Sequence, residues 1–182
     1  MTFYEFFAGG GMVRAGLGVR WRCLFANEIS PQKARIYRRN WGGDTLVLAD
    51  IAALTSADLP DVPDLVWGSF PCQDLSVAGA GAGLAGQRSG SFWSLIGVLH
   101  DLKDQGRAPP LIVLENVLGT LSANGGADFT ALCQAVAGLG YDLGAVVMDA
   151  ADFLPQSRPR LFIIAVRKGI TLPDAVVASG PQ

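Results

Sequence analysis

At 182 residues, half of them hydrophobic and 16% charged, the chain is expected to fold as a single domain with a sizeable core, and its composition excludes a disordered or low-complexity polymer. A formal charge of -2 and a pI near 5.3 exclude strong bulk attraction to nucleic acid, so any polyanion contact must come from local clusters. Apolar runs are too short to span a membrane and the N-terminus lacks a basic-then-apolar plan, which predicts a cytosolic protein; three cysteines at these spacings suit neither a disulfide framework nor a metal site.

In chain order, Thr2 to Phe6 reads as a strand, followed by the cluster Ala8-Gly9-Gly10-Gly11 and a short helix to about Leu17. Trp21 to Ala26 is a second strand. Ser30-Pro31 opens a helix with a serine cap and a proline at the first helical position, and the helix runs to about Trp41. Strands are predicted at Thr45 to Leu48, Leu65 to Gly68 and Leu111 to Leu114, with helical spacing over Phe92 to Leu102 between the last two. A helix over Phe129 to Leu139 and late strands at Tyr141 to Met148 and Leu161 to Val166 complete the pattern. Alternation of this kind predicts an α/β fold, a mostly parallel sheet with helices on both faces in three Rossmann-like layers. Flexibility is expected at Gln73 to Gly90 and in a tail over residues 169–182, leaving residues 1–168 as the domain proper.

Open α/β sheets place their chemistry at the carboxyl ends of the strands. There the apolar run Leu65-Val66-Trp67-Gly68 leads into Phe70-Pro71-Cys72-Gln73, and Leu111 to Leu114 leads into Glu115-Asn116-Val117. A thiol and a carboxylate are thereby expected at one sheet edge, the carboxylate at a buried rim where its pKa is readily raised. Cys23 and Cys133 sit in apolar surroundings and read as small core residues; His100, in an apolar helical pattern, reads as a packing or surface residue. The basic residues from Arg14 to Arg39 read as a solvated face. Gln156-Ser157-Arg158-Pro159-Arg160 differs, because two guanidinium groups two residues apart lie on one side of an extended segment, a spacing suited to a phosphate backbone.

The glycine cluster lets a ligand approach the backbone at a helix start. Glu28 after the second strand suits ribose hydroxyls, and Asp50-Ile51 after the third suits an adenine amino group and ring. Successive strand ends of this type predict an adenosine-containing cofactor, and the absence of a Gly-x-x-x-x-Gly-Lys-Ser/Thr loop disfavours a nucleoside triphosphate.

Taken in order, Phe6-Phe7-Ala8-Gly9-Gly10-Gly11, Asn27-Glu28, Asp50-Ile51, Gly68-Ser69-Phe70-Pro71-Cys72-Gln73-Asp74-Leu75-Ser76, Arg88-Ser89-Gly90, Glu115-Asn116-Val117 and Gln156-Ser157-Arg158-Pro159-Arg160 resemble the motifs of the DNA (cytosine-5) methyltransferase family over about Thr2 to Val166. The resemblance implies a fold of the S-adenosylmethionine-dependent methyltransferase type with S-adenosylmethionine contacted by Phe7, Gly9, Gly10, Gly11, Glu28, Ile29, Asp50, Ile51 and Phe70. It implies Cys72 as nucleophile, Glu115 as the residue engaging cytosine N3, and Arg158 and Arg160 as site and DNA contacts, with Gln73, Ser76 and Arg88 also facing DNA. It further implies a bacterial or phage restriction-modification setting, with no metal and no membrane. An RNA cytosine methyltransferase built on the same motifs and a non-catalytic cofactor-binding relative are the alternatives. Two departures stand out. Met12 occupies a position where the family often has a further glycine, and Arg167 to Gln182 is too short for the family's target-recognition region and C-terminal Gly-Asn motif. That shortfall predicts a split-enzyme subunit completed by a second polypeptide, a truncated product or a degenerate relative.

Overall fold

A computed structural model describes residues 1–71 and 90–171. The described residues form a seven-stranded sheet in the order β3-β2-β1-β4-β5-β7-β6. Its strands are β1 (Thr2–Phe6), β2 (Arg22–Glu28), β3 (Leu46–Leu48), β4 (Leu65–Gly68), β5 (Leu111–Val117), β6 (Tyr141–Asp149) and β7 (Pro159–Arg167). β1 to β5 are parallel, while β7 runs antiparallel to both β5 and β6. The helices are α1 (Met12–Leu17), α2 (Pro31–Trp41), α3 (Ser91–Asp104) and α4 (Ala127–Gly138).

Parity along the strands sorts side chains to two faces. Tyr4, Phe6, Val66, Ile112, Leu114, Leu161 and Ile163 pack with Phe92, Leu95, Leu99 and Leu102 of α3 and with Leu132 and Val136 of α4. Phe3, Ala26, Leu65 and Val113 point the other way, onto Ala34 and Tyr37 of α2 with Leu17 of α1. Helix α2 exposes its logic plainly. Ser30 accepts from the Lys33 amide at 3.4 Å, Pro31 opens the first turn, and Ala34, Tyr37 and Trp41 recur at the spacing of one buried stripe.

The expected alternation is present, and the differences lie at strand ends. β2 continues to Glu28 because β3 pairs with it through Glu28↔Leu48, beyond the last β1 pair at Asn27↔Phe6. β5 continues to Val117 because β7 goes on pairing after β4 has stopped at Gly68↔Leu114. The sheet order turns at β1 and β4, so the chain leaves β1 toward β2 and arrives at β4 from the far edge; the crevice outside those carboxyl ends is where such sheets bind ligands. No helix among the described residues is long and apolar enough to cross a membrane. His100 is exposed and pairs with Asp104 at 3.2 Å, and Cys23 is buried.

Candidate functional site

Two depressions open at that sheet edge. The first, a cleft of about 500 Å³, is lined by Phe7, Asn27, Ile29, Asp50, Ile51, Ala52, Pro71, Gly90, Ser91 and Ser94. Phe7, at the end of β1, takes φ 61°, a left-handed conformation that a bulky side chain adopts only when its surroundings impose it. Asp50 caps the short turn Ile51–Ala53 through Oδ1, which accepts from the Ala52 amide at 2.9 Å. That leaves its other oxygen available at the exposed rim. Ile51 is buried beneath while Ile29 is exposed, so the cleft offers an apolar slot with a carboxylate at its mouth.

Glu28 lies between two lining residues, Asn27 and Ile29. Its Oε2 accepts from the Gly9 amide at 2.8 Å and its Oε1 from the Ser30 amide at 2.8 Å, although the residue is only 4% exposed. The carboxylate therefore ties the glycine turn to the start of α2, with each oxygen retaining a lone pair for a further donor. Asn27 fixes the neighbouring rim by donating from Nδ2 to the Ala49 carbonyl at 2.9 Å. At Gly9 an added Cβ would meet open space, but φ is 56° there, and at Gly11 φ is 82°. These are turn positions that glycine fills without strain. Thus Phe7, Ile29, Asp50 and Ile51 line the cleft directly, while Gly9, Gly10 and Gly11 follow Phe7 in the chain and Glu28, bonded to Gly9, lies between the lining residues Asn27 and Ile29. Phe70 is different: its ring is 3% exposed and packs on Phe92 at 5.0 Å between centroids, so it belongs to the core.

The second depression is a groove of about 630 Å³ between α1 and the sheet, lined by Met12, Val13, Gly16, Leu17, Trp67, Ser69, Glu115, Arg158 and Phe162. Glu115 lies inside β5 opposite Phe162, half-buried, and its Oε1 meets the Nε of Arg160 at 3.0 Å. The two arginines of the extended segment do share a side, since Arg158 lines the groove that holds Glu115 and Arg160 pairs with that carboxylate. Asp149, which sequence reading did not single out, organises their approach. It accepts from Ser157 Oγ at 2.9 Å and from the amides of Ala151 at 3.0 Å and Arg158 at 2.5 Å. These bonds hold its carboxyl below the ordinary range.

Asn116 joins the two strand ends: its Nδ2 donates to the Phe70 carbonyl at 3.2 Å. Trp67 donates from Nε1 to Ser69 Oγ at 2.8 Å. The segment after β4 thus runs between the depressions, Ser69 lining the groove and Pro71 the cleft. Cys72, Gln73, Ser76 and Arg88 lie outside the described residues. Among the described residues, no group of three or more metal-ligating side chains comes together.

A third feature carried no sequence signal. Glu5 on β1 is 1% exposed and neither carboxylate oxygen has a hydrogen-bond partner. Burial pushes its pKa up from 4.5 to about 7, partly offset by the nearby Val13 amide, which stays outside hydrogen-bond geometry, and by Arg14 on α1. Its burial is visible only once α1 is seen to lie over that face of the sheet.

The chain matches the family model for C-5 cytosine-specific DNA methylase over residues 1–178. It is 31% identical to the type II methyltransferase M.BsuFI of Bacillus subtilis over 176 residues, which are 96% of this chain and 41% of the relative. It is 32% identical to the type II methyltransferase M.NlaX of Neisseria lactamica over 164 residues, 88% of this chain and 50% of the relative. The chain therefore spans about half the length, or less, of these curated relatives. The crystal structure of the S. pombe Dnmt2 methyltransferase superposes with a TM-score of 0.76 at 24% identity, covering 94% of this chain and 52% of that one; this likeness concerns the fold.

Proposed function

The chain belongs to the C-5 cytosine-specific DNA methylase family, and from that premise we propose that residues 1–168 are the catalytic core of an enzyme that methylates C5 of cytosine in DNA with S-adenosylmethionine. The observation that carries the reading is the meeting of cleft and groove at one stretch of chain. Ser69 faces one and Pro71 the other, and the next residue is Cys72.

The cleft fits an adenosine-bearing cofactor on its own chemistry. Phe7, Ile29 and Ile51 offer apolar surface to a flat ring, Asp50 an acceptor at the rim, and Glu28 an acceptor beside the glycine turn. The bound cofactor would supply an electrophilic sulfonium methyl group. Cytosine C5 is too poor a nucleophile to take that methyl unaided. In the proposed reaction the Cys72 thiolate adds to C6, forming an Sγ–C6 bond and moving electron density through the ring toward C5 and N3. Glu115, by protonating or hydrogen-bonding N3, offsets the charge that accumulates there. C5 is then competent to accept the methyl group; removal of the C5 proton by a base returns the electron pair that expels Cys72 Sγ. Arg160 holds the Glu115 carboxylate in place through their 3.0 Å contact, and Arg158, exposed at the groove mouth, is assigned to DNA phosphate. A duplex substrate must present its cytosine unstacked, with Gln73, Ser76 and Arg88 assigned to the DNA side.

This reading includes a cover for one exposed apolar face, supplied by the kind of segment that the relatives carry beyond the matched part, whether on this chain or on a second polypeptide. On the α2 face of the sheet, Val146, Met148 and Ile164 are 40%, 41% and 41% exposed. Val146 is the cross-strand partner of the groove residue Phe162, and Met148 and Ile164 stand two residues away on either strand. Contiguous apolar surface of this kind is ordinarily covered, and the relatives carry at least as much chain again.

Duplex DNA carrying 5-fluorocytosine, which blocks proton loss from C5, should trap the chain covalently through Cys72 once it is assembled with a recognition-bearing polypeptide. Cys72→Ala should abolish both trapping and methyl transfer while cofactor affinity stays within about twofold. An adduct on Cys23 or Cys133, or transfer to tRNA in preference to duplex DNA, would overturn the assignment.

A further inference from the structure

Helix α2 ends against the glycine turn. Trp41 donates from Nε1 to the Gly10 carbonyl at 3.2 Å, and Asn40 donates from Nδ2 to the same oxygen at 3.3 Å. The indole also sits directly on Gly11: a Cβ added there would fall 2.2 Å from Trp41 Nε1, 2.5 Å from its Cδ1 and 3.0 Å from Tyr37 Cε2. Arg14 of α1 closes the arrangement from above, its guanidinium 5.2 Å from the Trp41 ring centroid and bonded to the Tyr37 hydroxyl at 3.2 Å. Helix α1 has no side-chain cap of its own. The turn that feeds it is therefore held from outside, at Gly9 by Glu28 and at Gly10 and Gly11 by the end of α2.

We infer that Trp41 is a positioning residue for cofactor binding, with its indole N–H fixing the Gly10–Gly11 peptide and so the turn that joins the cleft residue Phe7 and the Gly9–Glu28 contact to helix α1. The inference rests on the cofactor reading above. Its physical content is preorganisation: a left-handed glycine turn samples many conformations when free, and a turn already ordered loses less entropy when ligand arrives. The N–H does this specifically. A carbonyl whose orientation is set by donors from another helix cannot rotate without giving up both bonds. Arg14, stacked on the ring, keeps the indole from swinging outward.

The test uses the full chain with S-adenosylhomocysteine as probe, titrated calorimetrically, alongside hydrogen exchange of the Gly9–Met12 amides. Trp41→Phe keeps a ring over Gly11 and removes the donor. It should weaken binding about fivefold to tenfold, the effect of one hydrogen bond, with faster exchange confined to the turn and an unliganded Tm close to that of wild type. Asn40→Ala, on an exposed position, removes the second donor without touching the packing and should weaken binding about twofold to threefold. If Trp41→Phe is globally destabilised, Asn40→Ala and the wild-type exchange pattern decide: fast exchange at Gly10 and Gly11 in the wild type would overturn the inference. Equal affinity and equal exchange in wild type and Trp41→Phe would overturn it too. A wild-type chain that binds no probe at all would instead remove the cofactor reading, while the exchange comparison would still report whether the indole orders the turn.

Discussion

Replacing Glu5 with glutamine isolates what its burial costs the fold. The carboxyl is 1% exposed, its oxygens lack partners, and its pKa rises from 4.5 to about 7. At about 1.4 kcal/mol per pH unit, that gap corresponds to about 3 kcal/mol. The folded chain holds the proton more tightly than the unfolded chain. The stabilisation associated with the neutral carboxyl is therefore fully present below pH 4.5, is lost as the pH rises through about 7, and stays lost above it. Glutamine resembles the protonated acid in shape and does not titrate. Urea unfolding of both proteins from pH 4.5 to 8.5 should show Glu5→Gln gaining about 3 kcal/mol on wild type across that range, whatever the offset between them at the acid end. A difference that stays flat with pH would refute the reasoning, because it would mean that Glu5 is solvated or paired in the folded chain. The sheet position makes the cost intelligible: Glu5 faces the layer beneath α1, beside Val13 and Arg14, where water is excluded and no donor is aligned to replace it.

Further outcomes follow from the same geometry. Gly11→Ala combines a φ of 82° with a Cβ 2.2 Å from Trp41 Nε1 and should cost about 2–4 kcal/mol in urea unfolding; a neutral result would mean that the indole moves aside freely. Glu28→Ala removes the acceptor for the Gly9 and Ser30 amides and should weaken S-adenosylmethionine binding by about tenfold or more in titration calorimetry. Unchanged affinity would take Glu28 out of the cofactor site. Arg160→Ala deprives half-buried Glu115 of its ion pair and should lower the single-turnover methylation rate of the assembled enzyme by about tenfold or more with an unaltered circular dichroism spectrum; a wild-type rate would leave Arg160 without a part in the site.

Strand and helix alternation, the serine-proline start of α2 and the residue types that follow each strand are local signals, and they are readable from residues 2 to 166 without coordinates. So is the parity that puts Arg158 and Arg160 on one side, since it depends only on extended backbone. The limits of β2 and β5 are not readable. Whether Glu28 and Glu115 belong to strands depends on the neighbours β3 and β7, which continue pairing past β1 and β4, and hydrogen-bonding partners distant in sequence leave no local trace. Phe70 shows the same limit from the other side, its ring drawn into the core by Phe92 of α3.

By itself the sequence determined the kinds of group at the sheet edge, because period-two and helical patterning and turn chemistry are properties of neighbouring residues. Only the tertiary structure decided which of those groups meet. It gave Glu115 to Arg160, tied Glu28 to the glycine turn, seated Trp41 on Gly11 and buried Glu5 without a partner. Each of these depends on separate elements of the chain arriving at one place, and burial, which sets the energy of every charge and hydrogen bond there, exists only after they have.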